Sequence, residues 1–413
     1  MTLLPFDHAA RNAGRAPART VLIVLGSAAV VFLVMLMAAF VGTLGATLRG
    51  TGDPANAIVL GLGSEDFLEQ SEIGFGVPVE LAAGVETLAR QPGSDAPLLS
   101  PEIHHAAIVR PADGTEGDGP DQSAATAAGA ATAAAAPRTA LIRGVTGAAF
   151  TVHRQVFIAE GSAPGPGQVL AGRLAATKLG LPPAALRPGA RIVFEGRAWT
   201  VSGAFDAPGT AYESELWVPL DDLKLQTKRD TLTCVVARVA GDTPAARDEA
   251  MAELEAFAKT RLDLELAVVP EVRYYAALAA FYRPMQMMGW AMAALVTASG
   301  LFGGLNAMSA AIAARGREFA CLETLGFRRP AIVVSLLQEN LLQTGAGALI
   351  AAGLAALLLS GRAVKVTSGA LALHVDGPVL AAGFAAALVL GVVGTLVPCL
   401  TMARKPLVAM LRG

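Results

Sequence analysis

Apolar positions fall along this chain in two rhythms. Four stretches, 21–48, 284–314, 341–360 and 378–403, carry no charged residue at all. A helix needs about 20 apolar residues to cross a hydrocarbon core of about 30 Å, so each stretch reads as a transmembrane helix. From about Gly50 to about Tyr282 the chain turns polar, and apolar residues there alternate or come in short runs. The expected fold is a membrane α-helical protein with four transmembrane helices in a 1+3 arrangement. A large extracytoplasmic α+β domain is inserted between helices 1 and 2. The expected bounds are 20–48, 283–314, 333–360 and 378–402 for the helices and 49–282 for the domain. Residues 1–19 form a leading segment, 315–332 join helices 2 and 3, 361–377 join helices 3 and 4, and 403–413 form a tail. The first stretch exceeds the 7–15 apolar residues of a cleaved signal, so it reads as a retained helix.

Inside the polar segment the pattern resolves into short elements. Residues 57–62 (AIVLGL) read as a buried strand, and Leu81, Val85 and Leu88 share one face of a helix over 79–90. Strands are expected at 104–109, 138–145, 191–194, 199–204, 216–218, 231–239 and 265–269, with a short helix over 171–179. Glu195, Gly196 and Arg197 supply a hairpin turn. Asp221 is expected to cap one brief helix, and Thr243 with Pro244 to open another. Residues 111–137, rich in Gly, Asp, Ala and Thr, have the composition of a flexible insertion.

Charge sets the orientation. Arg11, Arg15 and Arg19 precede the first span, Arg315, Arg317, Arg328 and Arg329 lie between the second and third, and Arg404, Lys405 and Arg412 follow the fourth. Only Arg362 and Lys365 lie in 361–377. Positive residues mark the cytoplasmic side, so both termini are expected inside and the large domain outside, in the periplasm of a cell with two membranes. Formal net charge is −2 over 413 residues, so nothing suggests a nucleic-acid partner.

Candidate chemistry is sparse. Cys234, Cys321 and Cys399 lie far apart and read as structural thiols. Adjacent His104 and His105 face opposite sides of a strand and cannot share a metal. The sequence contains no H-E-x-x-H, G-x-S-x-G or G-x-x-x-x-G-K-[ST] pattern. No catalytic residue, metal or cofactor is expected, and ATP hydrolysis through a phosphate loop has no counterpart in this chain. Gln338, Glu339 and Asn340 interrupt the start of the third span. Glu339 is expected near the cytoplasmic interface, hydrated or meeting Arg328 or Arg329.

The 315–332 region carries the sharpest pattern. Glu318 and Glu323 interleave with Phe319, Leu322 and Leu325, giving an amphipathic helix. Gly326 permits its stop, and Arg328 and Arg329 then reach lipid phosphates or a partner. Such a helix either anchors a turn at the bilayer surface or docks in the groove of a soluble protein. Arg315, Arg317-Glu318, Leu322, Leu325-Gly326, Arg328-Arg329 and Glu339 together resemble the segment between the second and third helices of the MacB/LolC/FtsX-like ABC transporter permeases. The ending ARKPLVAMLRG and the lead RNAGRAPARTVLIVLGSA are similar to that family's termini. The resemblance implies a non-catalytic permease subunit in the bacterial inner membrane. Two permease chains, identical or different, would pair with a separate ABC ATPase that binds the ATP. Arg315, Arg317, Glu318, Leu322, Leu325, Gly326, Phe327, Arg328 and Arg329 would contact that ATPase. A membrane-fusion protein or a lipoprotein is a further partner it implies, and the work would be export, lipoprotein release or a similar mechanical task. The alternative is a membrane-anchored scaffold or signalling receptor without transport. Glycines 300, 303 and 304 and glycines 345, 347 and 353 suit close helix packing, within one chain or between two.

Overall fold

A computed structural model describes residues 17–112, 138–366 and 369–403. The expected insertion from 113 onward, the arginines at 11, 15, 404 and 412 and Lys405 lie outside these residues. Two compact units emerge. One comprises the chain up to Thr43, Tyr282–Arg362 and Leu373 onward; the other comprises Leu44–Phe281 with Ala363–Ala372.

The helices in chain order are α1 (Pro17–Thr51), α2 (Val77–Gly84), α3 (Ala149–Val152), α4 (Ala175–Leu179), α5 (Leu220–Thr227), α6 (Pro244–Thr260), α7 (Glu271–Phe281), α8 (Arg283–Ala314), α9 (Gly316–Thr324), α10 (Arg329–Leu358) and α11 (Gly377–Ala403). By length and composition α1, α8, α10 and α11 are the four described helices that suit a bilayer crossing. At about 1.5 Å per residue, α1 extends about 50 Å, well beyond the hydrocarbon core. Helices α7 and α8 are separate: Tyr282 is the cap between them, and Pro284 enters the first turn of α8, where its missing N–H leaves no helical bond unmade.

The strands are β1 (Asn56–Gly61), β2 (Ile73–Gly74), β3 (Leu99–Ile108), β4 (Arg110–Pro111), β5 (Thr139–Val145), β6 (Phe157–Gly161), β7 (Gln168–Gly172), β8 (Arg191–Phe194), β9 (Arg197–Asp206), β10 (Leu216–Pro219), β11 (Thr231–Leu232), β12 (Cys234–Arg238), β13 (Leu266–Pro270), β14 (Ala363–Val366) and β15 (Gly369–Ala372). The main sheet runs β13-β1-β12-β3-β5-β10-β7-β9-β8-β4, with β6 also on β9. Strand β3 belongs to two pairings. Its first half, Leu99 to Glu102, pairs with β12, and its second half, Ile103 to Ile108, pairs with β5. Glu102 is therefore the last residue before β3 changes partner.

Local chemistry explains most of these elements. Glu195 and Gly196 take positive φ (50° and 73°) at the β8–β9 turn, the left-handed pair a tight hairpin requires. Thr243 caps α6, its hydroxyl accepting from the Ala246 amide. Asp221 does not cap α5: the cap position is Pro219, and Asp221 sits in the first turn. The helix expected over 79–90 ends at Gly84, yet Leu81, Val85 and Leu88 are all buried. The strand expected over 231–239 breaks at Thr233 because β11 pairs with β2 and β12 with β3. Phe194 stacks on Trp199 at 4.7 Å between ring centres. Burying a ring of Phe194's size stabilises the fold by about 1.5–3 kcal/mol.

Segment 361–377, expected as a short connection, contains the β14–β15 hairpin. The hairpin packs on α4 and on the turn Ala211–Ser214. A Cβ at Gly369 would sit 3.0 Å from the Ser214 hydroxyl, and Ala370 and Leu371 are buried.

The helical unit packs Val31, Met35 and Ala38 of α1 against Ala348, Ala351 and Ala355 of α10 and Val379, Ala387 and Leu390 of α11. Gly347 lets α10 reach the α1 backbone at Val24 and Ala28, and Gly300 lets α8 reach Val30. Gly303, Gly304, Gly345 and Gly353 face open space.

Candidate functional site

Helix α9 grows directly out of α8. The chain turns at Arg315 (φ −108°, ψ 12°), the common cap of both helices. Phe319 and Ala320 are fully buried and seat α9 on Met308 and Ile312 of α8, Ile332 and Leu336 of α10, and Cys399 of α11. The stop is a Schellman turn: the Phe327 amide donates to the Leu322 carbonyl and the Gly326 amide to that of Glu323. Gly326 has φ 97°, a conformation that a side chain disfavours. Arg328 is extended, and Pro330 lies in the first turn of α10, so the second helix of the pair starts at once.

The polar residues here divide into paired and outward-facing groups. Arg315 donates to Glu318 at 3.0 Å and stacks over the Phe319 ring at 5.2 Å. Arg329 donates to Glu323 at 2.9 Å. Arg317, Glu318, Cys321, Thr324, Leu325 and Arg328 are exposed. Leu325, expected on the apolar stripe, is instead 75% exposed on the turn, because the stop begins at that residue. Leu322 and Phe327 are half-buried. Beside them lies an open depression of about 450 Å³ lined by Glu323, Thr324, Phe327, Arg328, Arg329 and Pro330. Cys321, read as structural, is an exposed thiol, whereas Cys234 and Cys399 are buried.

Glu339 departs from expectation. It is 4% exposed and accepts from Arg19 of α1 at 2.6 Å and from Arg315 at 3.2 Å. Its neighbours extend the polar contacts. Asn340 donates to Thr395 and to the Gly391 carbonyl of α11, and Gln343 donates to Thr20 of α1. These groups are satisfied by other helices, which is what burial of polar side chains requires.

A second polar constellation lies in the outer unit. Arg143 of β5 donates to both oxygens of Glu215 at 2.7 Å each, and also to Glu102 of β3. Trp217 donates its indole N–H to Glu215 at 2.9 Å. The other oxygen of Glu102 meets His153 Nε2 at 2.6 Å. Tyr212 donates to Glu271 at 2.7 Å and lies 3.1 Å from His153 Nδ1. With the Tyr212 proton on Glu271, the phenol oxygen is placed to accept from Nδ1 when His153 is protonated. Glu271 in turn accepts from Asn56 at 2.9 Å and the Asp53 amide at 3.0 Å, and Arg238 binds Asp53 and Asn56 at 3.0 Å each. The chain of contacts thus runs from Glu215 to Asp53 through buried groups.

The ionisation follows from the surroundings. Burial works against a charged Glu102, but the Arg143 guanidinium and His153 outweigh it and hold the carboxyl well below its usual range. Burial also works against a charged His153, and Glu102 and then Glu271 reverse that, raising its affinity for a proton. Burial and Arg143 instead hold His104 low. His104 lies 3.1 Å from Glu102, while His105 faces outward to Glu195 at 2.9 Å, so the two histidines do diverge.

Sequence reading passed over this constellation because its members are far apart in the chain. The available signal was Glu102 and His104, two residues apart on the inner face of one strand. Glu102, His104 and Cys234 hold donor atoms within 4.8 Å of one another. They do not suit a metal ion. Both Glu102 oxygens already accept from Arg143, His104, His153 and Ser100, and burial pushes the Cys234 thiol well above its ordinary range.

The family model for the MacB-like periplasmic core domain matches residues 20–257, over half of the 413-residue chain. The model for the FtsX-like permease C-terminal region matches residues 290–407. Among solved structures, the periplasmic region of MacB from Actinobacillus actinomycetemcomitans is 9% identical, with 54% of this chain and 92% of that one covered and a TM-score of 0.37. The extracellular domain of the noncanonic ABC-type transporter YknZ from Gram-positive bacteria is 13% identical, with 52% and 99% covered and a TM-score of 0.35. No curated protein matches the chain. With an α+β domain followed by apolar helices, and with both family models matching in that order, this chain belongs to the MacB/FtsX-like ABC transporter permeases, bacterial membrane proteins with a periplasmic domain.

Proposed function

We propose that this chain converts the closing of a separate ABC ATPase into movement of its periplasmic domain. Helices α1, α8, α10 and α11 cross the inner membrane in a 1+3 arrangement, with both termini in the cytoplasm. The α9 region then lies on the cytoplasmic side, where the arginines between α8 and α10 favour it. The observation that carries the reading is α9 itself. It is a short helix seated firmly on three neighbours, ended by a glycine turn, and presenting Leu325, Arg317, Glu318 and Arg328 outward beside a depression. An exposed leucine on a rigid turn, ringed by charge, suits insertion into a groove of a soluble partner. Two such permease chains bind two ATPase copies, and ATP hydrolysis belongs to the partner. The output is mechanical: export, lipoprotein release or a related task performed by the periplasmic domain.

Affinity purification of the tagged, gently solubilised chain from its native host tests this. Stoichiometric recovery of an ATP-binding-cassette subunit is the expected result. Recovery of the intact chain without any ATPase, under conditions that preserve related complexes, would sink the proposal.

A further inference from the structure

We infer that Glu339 is the positioning residue that joins α9 to α1, so that a displacement of α9 is delivered to the start of the first helix through one carboxylate. The inference rests on the coupling role proposed for α9. Its basis is the partition of the two oxygens. Oε1 of Glu339 accepts from Arg19, in the first turn of α1, at 2.6 Å. Oε2 accepts from Arg315, the residue at which α8 becomes α9, at 3.2 Å. Arg315 is tied to α9 again through Glu318 and through its stacking on Phe319. Glu339 is held in place by its own helix, α10, which is pinned to α11 through Asn340 and to α1 through Gln343.

The energetics favour transmission along this line rather than across it. A carboxylate only 4% exposed among apolar helices is tolerated because both oxygens meet guanidinium groups. One carboxylate shared by two guanidinium groups ties Arg19 and Arg315 to the same anchor, so a shift of Arg315 that draws the carboxylate with it is felt at Arg19. Each apolar contact between α1 and α10 contributes only a small dispersion energy and can be exchanged for another over a short shift. A charge-assisted hydrogen bond cannot slide without breaking.

The test uses the complete complex with its co-purified ATPase in lipid nanodiscs. Amide hydrogen exchange is followed in α9 and in the first turns of α1, with and without ATP and vanadate. In the wild type both segments are expected to respond to nucleotide. Glu339→Gln is expected to keep the ATPase bound and the α9 response intact, while the α1 response falls by about fivefold or more. Glu339→Asp, which keeps the charge, recovers part of it. Arg19→Gln, which leaves Glu339 paired with Arg315, reproduces the loss and serves if Glu339→Gln does not accumulate. A general structural role would lower both responses together. An α1 response at the wild-type level in Glu339→Gln or in Arg19→Gln overturns the inference alone. Absence of any nucleotide response at α9 in the wild type overturns the coupling proposal itself.

Discussion

Arg143 links two buried carboxylates of the outer domain. Its guanidinium is 3% exposed and answers two carboxylates, Glu102 and Glu215. It also lies 5.0 Å from the centre of the Tyr212 ring. Arg143→Met keeps most of the volume but leaves Glu215 without a cation and Glu102 with only its histidine partners. Breaking a buried pair in this way costs about 3–5 kcal/mol, so chemical denaturation should show a loss of that order. A variant within 1 kcal/mol of the wild type would mean that water enters and solvates Glu102 and Glu215, an outcome on the order expected for exposed pairs. His153 adds a pH dependence of definite sign. Folding raises its proton affinity above the ordinary 6.5. The stability it adds is complete below that value and is lost as pH climbs through the higher folded value. His104, held low, acts in the opposite sense and removes stability as pH falls through 6.5. Comparing wild type with His153→Gln cancels the His104 contribution. The gap in stability should be fully present by about pH 6 and narrow toward alkaline pH, about 1.4 kcal/mol per pKa unit shifted. A gap independent of pH would show that His153 is neutral in the folded domain.

At the scale of elements, α9 shows what a sequence pattern does and does not disclose. The interleaving of charge and apolar residues, and a glycine after it, mark the helix and its end in the sequence. Burial of Phe319 and the left-handed Gly326 follow from that pattern alone. The pattern did not disclose which charges face inward. Glu323 turns toward Arg329 and Arg315 toward Glu339, both on α10, because the pairing depends on how α10 packs back on α9 and not on the periodicity of α9 alone. Nor did it place Leu325, whose exposure depends on where the helix stops rather than on periodicity. Two substitutions separate the roles. Leu325→Glu removes an exposed apolar group, so thermal stability should stay within about 0.5 kcal/mol while recovery of the ATPase falls sharply. Gly326→Ala strains the turn by about 1 kcal/mol, lowering stability with a smaller effect on recovery. Equal recovery of the ATPase from Leu325→Glu and wild type would remove Leu325 from the contact. The same contrast holds in the outer domain. Hairpin β8–β9 announces itself by a glycine between alternating runs. The division of β3 between β12 and β5 does not, since register is settled by the partners each half meets.

Over the whole molecule, the distribution of charge was enough to separate apolar helices from the α+β domain, because a bilayer and water select opposite compositions. What composition cannot express is contact between segments far apart in sequence. The hairpin of β14 and β15 is the clearest instance: only ten residues, Ala363–Ala372, assigned to a unit whose remainder ended at Phe281. Its two strands carry almost nothing that distinguishes them from an ordinary connection between helices. Lys365 gives a trace of the association, since together with burial it holds the Lys178 ammonium of α4 below its ordinary range.

That hairpin makes the outer domain discontinuous, and so decides how it can be isolated. A soluble fragment cut as one piece, 44–281, carries every strand of the main sheet but leaves bare the surface of α4 and Ser214 that Ala370 and Leu371 cover. Rejoining 363–372 to its end through a flexible linker should restore that cover and raise stability by about 1–3 kcal/mol, measured by denaturant titration of the two fragments. Identical midpoints would mean that the hairpin rides on the domain without supporting it. Any crystallisation, binding assay or immunisation that begins from the single-piece fragment therefore works with an exposed patch that the intact protein keeps covered.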